Sequence, residues 1–318
     1  MVDVVAMGET MVQLNAFTPG PLRYVNYFEK HAAGTESNFA VGVVRMGHTA
    51  GWISRLGDDE FGCYIHSFLR GEGVDVSRVA FDSEAPTGVY FIQRDYPVPG
   101  GSVVYYYRRG SAASGLGPGD VDADYVASAR LFHTTGITLA LSGSCREAVS
   151  KAMESARGGG AEVSFDTNIR LKLWGPDKAR RVITEYIGDC DMLFTDPQDA
   201  EILLGEGDPR RAAEEFLGMG PHTVAVKLGG EGAYAATSGG EAVMKEAFKV
   251  PVVDVVGAGD AFDAAFVSCR LRGWGLERSL EVANAAGALC VTVRGDVEAI
   301  PTFEDVERFL EGRSQVFR

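Results

Sequence analysis

The chain has 318 residues, 46% of them hydrophobic and 23% charged, a balance typical of a folded globular enzyme. Its formal net charge of −14 disfavours nucleic acid or an anionic membrane as a partner. No apolar stretch is long enough to cross a bilayer, and the five cysteines are widely spaced and form no CxxC pair, which predicts reduced thiols in a cytoplasmic protein.

The hydrophobic pattern predicts strands and helices that alternate along most of the chain. A buried strand is predicted at Val2–Met7, and a helix is predicted from Thr35 to a stop at Gly47. Further strands are predicted at Ala50–Ser54, Leu131–Ile137, Glu162–Asp166, Met192–Phe194 and Val224–Lys227, and further helices after a cap at Asp58 and at Cys145–Arg157, Pro176–Ile187, Ala258–Arg272, Leu276–Val293 and Thr302–Leu310. Repeated βα units of this kind predict one α/β domain over residues 1–318, with a mostly parallel central sheet and helices on both faces.

Two insertions interrupt this alternation, at about residues 10–31 and 87–110. Both carry strand-forming residues without an intervening helix, and Pro97–Gly101 predicts a turn within the second. We expect them to form a small antiparallel β lid beside the main body. Such a sheet needs a cover on at least one face, by a ligand cleft or by a second subunit, so we also expect a homo-oligomer formed through the lids.

The most informative stretch is Val252–Phe262, in which a strand-like run enters a glycine turn and continues into a helix. In this turn, Gly257 and Gly259 let the backbone approach a ligand, and the first N–H groups of the helix, from Ala258 onward, lack internal acceptors. The turn therefore predicts an anion hole for a transferring phosphoryl group. Asp260 lies beside this hole and is predicted to accept the proton of an attacking hydroxyl. In isolation, the same turn would be an ordinary helix start whose N-terminal aspartate interacts favourably with the helix dipole.

The stretch from Asp254 to Val267 resembles the C-terminal signature of the PfkB (ribokinase-like) carbohydrate kinases. Residues near the other end fall at the spacing of the family's N-terminal signature: Ala33, Gly34, Asn38, Ala40, Gly47 and Gly57. Glu36 departs from that signature, since the family usually has a small residue there. The resemblance covers the whole chain and implies a ribokinase-like three-layer α/β/α fold with ATP and Mg²⁺ as cofactors. No GxxxxGK[ST] motif is present, so phosphate binding is assigned to the glycine turn.

The resemblance also implies roles for individual residues. Gly34 and Asn38 would bind hydroxyls of the sugar, and Asp254 would help to order the site. The residues implied for ATP binding are Lys227, Gly229, Gly232, Gly257, Ala258, Gly259 and Asn284. A purely structural interpretation stays equally open for two of these residues: Lys227 as a charge at a strand end, and Asn284 as a polar residue on a helix.

The family's Asn-x-x-Glu motif, which organises Mg²⁺ through water, reads Asp196-Pro197-Gln198-Asp199 in this chain. Asp196 and Asp199 keep oxygen ligands suited to Mg²⁺, with Glu201 as an alternative for either. The sequence therefore predicts dependence on the metal and leaves its ligands open.

Two arginines bear on the substrate. Strand alternation places Tyr106 and Arg108 on one face of the lid, and Tyr90 and Ile92 share a face of the preceding strand, which suits a polar ligand with a carboxylate. Arg108 could instead solubilise the lid edge. Arg170 lies in a segment that resembles FDxNxRxxLW of 2-keto-3-deoxygluconate kinases and some fructokinases, in which it would lie near a sugar acid and the phosphate path.

Together with these residues, the resemblance implies ATP-dependent phosphorylation of the terminal (C6) hydroxyl of a sugar acid. The first choice is 2-keto-3-deoxygluconate, which the sequence does not separate from its galactonate epimer. A neutral ketose such as fructose, or a nucleoside, stays open as an alternative. A dinucleotide-dependent dehydrogenase would need GxGxxG after the first strand, which Met7–Thr10 lacks. A non-catalytic sugar sensor on the same fold is the alternative from another class, and the retention of Asp260 argues against it.

Overall fold

A sheet of nine strands forms the centre of the fold, and a second sheet of four strands lies beside it. The structure is a computed structural model and describes residues 2–312. The strands are β1 Val4–Met7, β2 Met11–Ala16, β3 Phe28–Ala33, β4 Ala50–Gly57, β5 Asp75–Asp82, β6 Val89–Arg94, β7 Ser102–Tyr107, β8 Leu131–Thr135, β9 Glu162–Asp166, β10 Met192–Thr195, β11 Thr223–Lys227, β12 Ala233–Thr237 and β13 Ala242–Lys245. The α-helices are α1 Thr35–Arg45, α2 Glu60–Gly71, α3 Ala123–Ala127, α4 Gly136–Leu141, α5 Gly143–Gly159, α6 Pro176–Ile187, α7 Pro197–Leu204, α8 Pro209–Met219, α9 Ala258–Leu271, α10 Leu276–Cys290 and α11 Phe303–Leu310.

The large sheet has the strand order β13-β12-β11-β10-β9-β8-β1-β4-β5 and is parallel from β11 to β5. Strands β12 and β13 continue it as an antiparallel edge. Strand β1 is apolar throughout because both of its faces are buried: Val4 and Ala6 belong to one hydrophobic core, and Val5 and Met7 belong to the other. Helices α1, α2, α9, α10 and α11 contribute to the first core and α3 to α8 to the second, which gives the predicted three layers.

The second sheet, the lid, has the order β3-β2-β6-β7. Each insertion contributes one antiparallel hairpin, of β2 with β3 and of β6 with β7, and the hairpins join through a parallel pairing of β2 with β6. One lid face carries the buried side chains of Tyr90 and Ile92. The other face carries aromatic contacts, with the ring centroids of Phe91 and Tyr107 5.6 Å apart, and leaves Tyr107 68% exposed.

Several predicted elements differ from the structure. The strand predicted ahead of the glycine turn is wrong, because Val252 and Val255 are 65% and 68% exposed and residues 252–256 pair with no sheet. Asp59, not Asp58, caps α2, since its carboxylate accepts a hydrogen bond from the N–H of Gly62. The predicted strand at 131–137 ends at Thr135, whose hydroxyl caps α4.

Other elements were missed by the sequence analysis. Strands β5 and β13 are the edges of the large sheet, where one neighbour is absent and the hydrophobic pattern is weak, and β12 pairs with β13 in the antiparallel end of that sheet. Helices α7 and α8 each begin with a proline after an aspartate cap, which is a recognisable helix start. Between residues 2 and 312, no helix is long and apolar enough to cross a membrane.

Candidate active site

A cavity of about 860 Å³ lies where the carboxyl ends of the parallel strands face the lid. Ligands of open α/β sheets bind at this edge, because the loops that leave the strands converge there. Most residues that were assigned to the site from the sequence line this cavity: Gly34, Asn38, Tyr90, Tyr106, Arg108, Arg170, Asp196, Asp199, Lys227, Gly229, Gly232, Gly257, Ala258, Gly259, Asp260 and Asn284. Asp254 and Glu201 do not line it, and the carboxylate of Asp254 lies 3.6 Å from Nη2 of Arg94 instead.

The glycine turn forms the N-terminus of α9 at the cavity wall. Gly257 has a φ of 79°, in the left-handed region that glycine adopts without strain. A Cβ at this position would also lie 3.1 Å from Oδ1 of Asp296. The N–H groups of the first helical turn have no acceptors within the helix, and the helix dipole adds partial positive charge. The turn can therefore bind an anion.

Asp260 lies in the first turn of α9, and both of its carboxylate oxygens accept hydrogen bonds from α1. Thr35 Oγ1 donates to Oδ1 at 2.5 Å, and Asn38 Nδ2 donates to Oδ2 at 2.7 Å. Burial raises the pKa of Asp260, and the two hydrogen bonds act in the opposite direction. The carboxylate is thus oriented beside the anion hole with a raised pKa, an arrangement suited to a general base.

A buried carboxylate, that of Asp296, adjoins the half-buried Asp260 through Asn38. The Nδ2 atom of Asn38 also donates to Asp296 Oδ1 at 2.5 Å. Burial raises the pKa of Asp296 well above its ordinary value, and the charge of Asp260 adds to the effect. Asp296 was not predicted from the sequence, because it lies in an irregular segment after α10 with no motif to mark it.

At the lid end of the cavity, the guanidinium of Arg108 is paired with Glu9. Arg108 Nη2 donates to Glu9 Oε2, and Ser111 Oγ donates to Oε1 at 2.5 Å. The rings of Tyr90 and Tyr106 lie beside the pair, with centroids 5.5 Å apart, so the predicted face of two phenols and a guanidinium is formed. Glu9 was missed, although a charged residue directly after a buried strand marks the carboxyl edge of the sheet.

The loop after β9 carries Arg170, whose side chain is exposed at the rim of the cavity. Asp199 holds this loop, because its Oδ2 accepts hydrogen bonds from Thr167 Oγ1 at 2.7 Å and from the N–H of Ile169 at 2.9 Å. Asn168, between them, has a φ of 34°, which asparagine tolerates better than most residues. The loop geometry therefore depends on a carboxylate that the sequence analysis assigned to the metal.

Lys227, at the end of β11, contacts two buried carboxylates that the sequence analysis did not assign. Its Nζ donates to Asp166 Oδ2 at 2.8 Å and to both carboxylate oxygens of Asp263 at 3.1 Å. Burial alone would lower the pKa of Lys227, but the two carboxylates outweigh it and raise that pKa. The ammonium lines the cavity as the centre of an ion triad.

Two glycines and Asn284 line the cavity beyond Lys227. Gly229 and Gly232 have φ values of 57° and 112°, and a Cβ on Gly232 would lie 2.0 Å from the carbonyl oxygen of Lys245. Asn284 Nδ2 donates to the same carbonyl at 3.1 Å, which ties α10 to the end of β13. These contacts place backbone at the cavity wall near Gly229 and Gly232, beside the side chains of Phe248 and Val250.

Asp196 and Asp199, at the start of α7, are the predicted metal residues. Asp196 caps the helix, since its Oδ1 accepts from the N–H groups of Gln198 and Asp199 at 2.8 Å. Burial, followed by the charge of Asp196, raises the pKa of Asp199 to about 6. In the described part of the chain, no cluster of three or more His, Cys, Asp or Glu could hold a metal. This donor set fits only Mg²⁺ that keeps most of its ligands from phosphate and water, its usual mode of binding.

Comparisons with known proteins agree with this geometry. The model of the pfkB family of carbohydrate kinases matches residues 1–303. The 2-dehydro-3-deoxygluconokinase of Thermoproteus tenax is 50% identical over 314 residues, which cover 98% of this chain and 95% of that protein. The 2-dehydro-3-deoxygluconokinase of Bacillus subtilis (strain 168) is 39% identical over 317 residues, 99% of this chain and 97% of that protein. A protein from E. coli described as a ribokinase II, solved with ATP and Mg²⁺, has a TM-score of 0.91 at 28% identity and covers 98% of this chain and 100% of its own.

Proposed function

The chain belongs to the pfkB family of carbohydrate kinases, and we propose that it transfers the γ-phosphate of ATP to the C6 hydroxyl of 2-dehydro-3-deoxygluconate, also called 2-keto-3-deoxygluconate. The products are 2-keto-3-deoxy-6-phosphogluconate and ADP. The observation that carries the chemistry is the half-buried carboxylate of Asp260 beside the N-terminus of α9, in one cavity with Arg108 and Arg170.

We assign Asp260 as the general base. It accepts the proton of the C6 hydroxyl as the hydroxyl oxygen attacks the γ-phosphorus, and the bond from that phosphorus to the leaving ADP oxygen breaks. The backbone N–H groups from Gly257 to Gly259 stabilise the charge on the transferring group, assisted by Arg170. The lid excludes water from the cavity, which limits wasteful hydrolysis of ATP.

ATP and Mg²⁺ are used in this family, and the cavity fits both. Gly232 and Gly257 line the cavity without a side chain, so their backbone is what a nucleotide and its phosphates would meet there. When bound, Mg²⁺ neutralises charge on the phosphates. Asp196 and Asp199 would hold it through water, while Asn284 borders the adenine.

The carboxylate of the sugar acid is assigned to the lid end. Arg108 donates to Glu9 through one nitrogen, and its Nε is buried without a partner, so the guanidinium keeps donors for an anion. Tyr90 and Tyr106 flank it, and Gly34 and Asn38 would contact the sugar's hydroxyls. This combination of cation and phenols selects a polar, acidic ligand over a neutral one.

We further propose that the lids mediate a homo-oligomer. The outer lid face exposes Tyr105 and Tyr107, at 41% and 68%, on a sheet whose inner face already covers the cavity. Sedimentation as a single species of monomer mass would contradict this assembly.

We also assign the enzyme to the cytoplasm, because its five cysteines are unpaired thiols and ATP is its donor.

An ADP-release assay with ATP and Mg²⁺ tests the function across 2-dehydro-3-deoxygluconate, its galactonate epimer, fructose and adenosine. We expect ADP release with one or both sugar acids. Phosphorus NMR of the product should show a phosphate ester at C6. Release with fructose or adenosine alone would contradict the acid assignment. Tight sugar binding without release of ADP for any acceptor would instead indicate a sensor.

A further inference from the structure

We propose that Thr35 is a positioning residue for the reaction: its hydroxyl, oriented by Asn168, holds the carboxylate of Asp260 where it takes the proton from the acceptor. The inference deepens the proposed function and rests on it, since Thr35 has this task only if Asp260 is the base. Neither Thr35 nor Asn168 belongs to the residues that the family resemblance assigns to the site.

The hydrogen bonds around Thr35 admit one direction only. Asn168 Nδ2 donates to Asp166 Oδ2 at 3.3 Å and to Thr35 Oγ1 at 3.1 Å, and the carboxylate contact identifies this atom as the amide nitrogen. Thr35 Oγ1 therefore accepts from Asn168. Its single hydrogen is left for Asp260 Oδ1, at 2.5 Å.

The hydroxyl of Thr35 does not serve its own helix. Thr35 is the first residue of α1, but the cap is Gly34, and no side chain accepts a hydrogen bond at this helix start. Its hydroxyl instead reaches Asp260 on α9 and Asn168 in the loop after β9. A threonine with only a structural role at the first helical position would be expected to bond within its own helix or to face away from the cavity.

Two donors on α1 thus hold the two oxygens of Asp260 separately. Asn38 Nδ2 holds Oδ2 at 2.7 Å but is shared with Asp296, whereas the hydroxyl of Thr35 is given to Oδ1 alone. Without Thr35, the carboxylate would keep one anchor and could turn about its Cβ–Cγ bond. A base that is misoriented loses proton-transfer efficiency even when the acceptor binds normally.

Removal of the hydroxyl should also move the titration of the base. Burial raises the pKa of Asp260 and the bond from Thr35 lowers it, so the loss of this bond raises the pKa further. The other charged and titratable groups that face Asp260 are Lys227, Asp166, Asp296, Glu36 and Cys290. These groups are the same in wild type and variant, so a change in the pH profile reports on Thr35.

The test compares Thr35→Val, which keeps the shape and removes the hydroxyl, with Thr35→Ser, which keeps the hydroxyl. Thr35→Val should lower kcat by about tenfold to a hundredfold, the usual worth of a hydrogen bond to a charged group, with the KM for ATP little changed. The acidic limb of its pH profile should move to higher pH, and Thr35→Ser should restore both. Asn168→Gly, which suits the φ of 34°, should give a smaller loss of the same kind.

A matched control is Thr302→Val, which removes a threonine hydroxyl that donates to Asp305 at 2.6 Å at the start of α11, away from the cavity. It should leave kcat and the pH profile unchanged. Turnover of Thr35→Val within about twofold of wild type, with an unmoved acidic limb, would overturn the inference. So would an equal further loss when Thr35→Val is added to Asp260→Asn. If Asp260→Asn itself turns over like wild type, the proposed role of Asp260 as the base is wrong, whatever Thr35→Val shows. If Thr35→Val does not fold, the kcat and pH profiles of Thr35→Ser and Asn168→Gly test the inference.

Discussion

Replacing Lys227 by methionine should destabilise the protein more than it weakens nucleotide binding. The side chain of Lys227 is 17% exposed, and those of Asp166 and Asp263 are 4% and 2% exposed. Methionine keeps the length of the side chain but removes the charge that the two aspartates share. The change therefore leaves two carboxylates buried at the end of the large sheet without their cation.

The size of the effect follows from the cost of an unpaired buried charge. Removing one partner of a buried ion pair costs about 3–5 kcal/mol of unfolding free energy, and here one ammonium serves two carboxylates. The aspartates can lower this cost by sharing a proton, which becomes easier as the pH falls. We therefore expect about 3–5 kcal/mol near neutral pH and a smaller loss in mild acid.

Urea unfolding of wild type and Lys227→Met at both pH values measures the loss, and the KM for ATP is measured on the same samples. Lys245→Met is the matched control, because Lys245 also donates to a carboxylate, at 2.6 Å, but its partner Glu277 is 71% exposed. It should unfold like wild type. A wild-type unfolding midpoint for Lys227→Met, together with a large rise in the KM for ATP, would refute the triad as a structural element and favour direct contact with the nucleotide.

Two further substitutions test other parts of the site. In a Glu9→Gln background, which avoids leaving the buried carboxylate of Glu9 without its cation, Arg108→Ala should raise the KM for sugar acids by about tenfold to a hundredfold and leave neutral sugars unaffected. Only an acid bonds to the guanidinium, so equal losses on both would contradict the assignment. Burial raises the pKa of Glu36 from 4.5 to about 7, so the folded protein retains a proton that the unfolded chain releases, and wild type should lose stability as the pH rises through this range. At about 1.4 kcal/mol for each pH unit, the loss of unfolding free energy is about 3 kcal/mol. Urea unfolding of Glu36→Gln across the same pH range should show no such loss. The same pH dependence in wild type and Glu36→Gln would contradict the prediction.

The buried parallel strands could be predicted from the sequence because their apolar runs are continuous. The run at Val4–Met7 is an example, since each residue packs into one core or the other. The run before the glycine turn has the same composition, yet Val252 and Val255 are exposed. Composition alone cannot tell a strand from an extended segment that borders a cavity, because the difference lies in whether a neighbouring strand is present.

The site residues could be predicted where a motif carried them, and their partners could not. Asp260 was identified from its glycine turn, whereas Thr35 and Asp296 adjoin it in space but are far from it along the chain. Thr35 lies within the N-terminal signature at a position to which the signature assigns no role, and Asp296 lies in no motif. Lys227 shows the same limit: its position was predicted, but the two carboxylates that hold it come from other elements. Such contacts depend on the packing of α1, α9 and β9 against one another, which no local pattern records.

The central claim is that Asp260 removes the proton from the C6 hydroxyl of a sugar acid while ATP supplies the phosphoryl group. The rate of phosphoryl transfer to 2-dehydro-3-deoxygluconate in a single turnover, compared between wild type and Asp260→Asn, tests it most directly. Asparagine keeps the shape and can still accept at one oxygen, but it cannot take up the proton. A fall of about 10²–10⁴-fold is expected, the usual worth of a general base. Transfer at close to the wild-type rate would contradict the account.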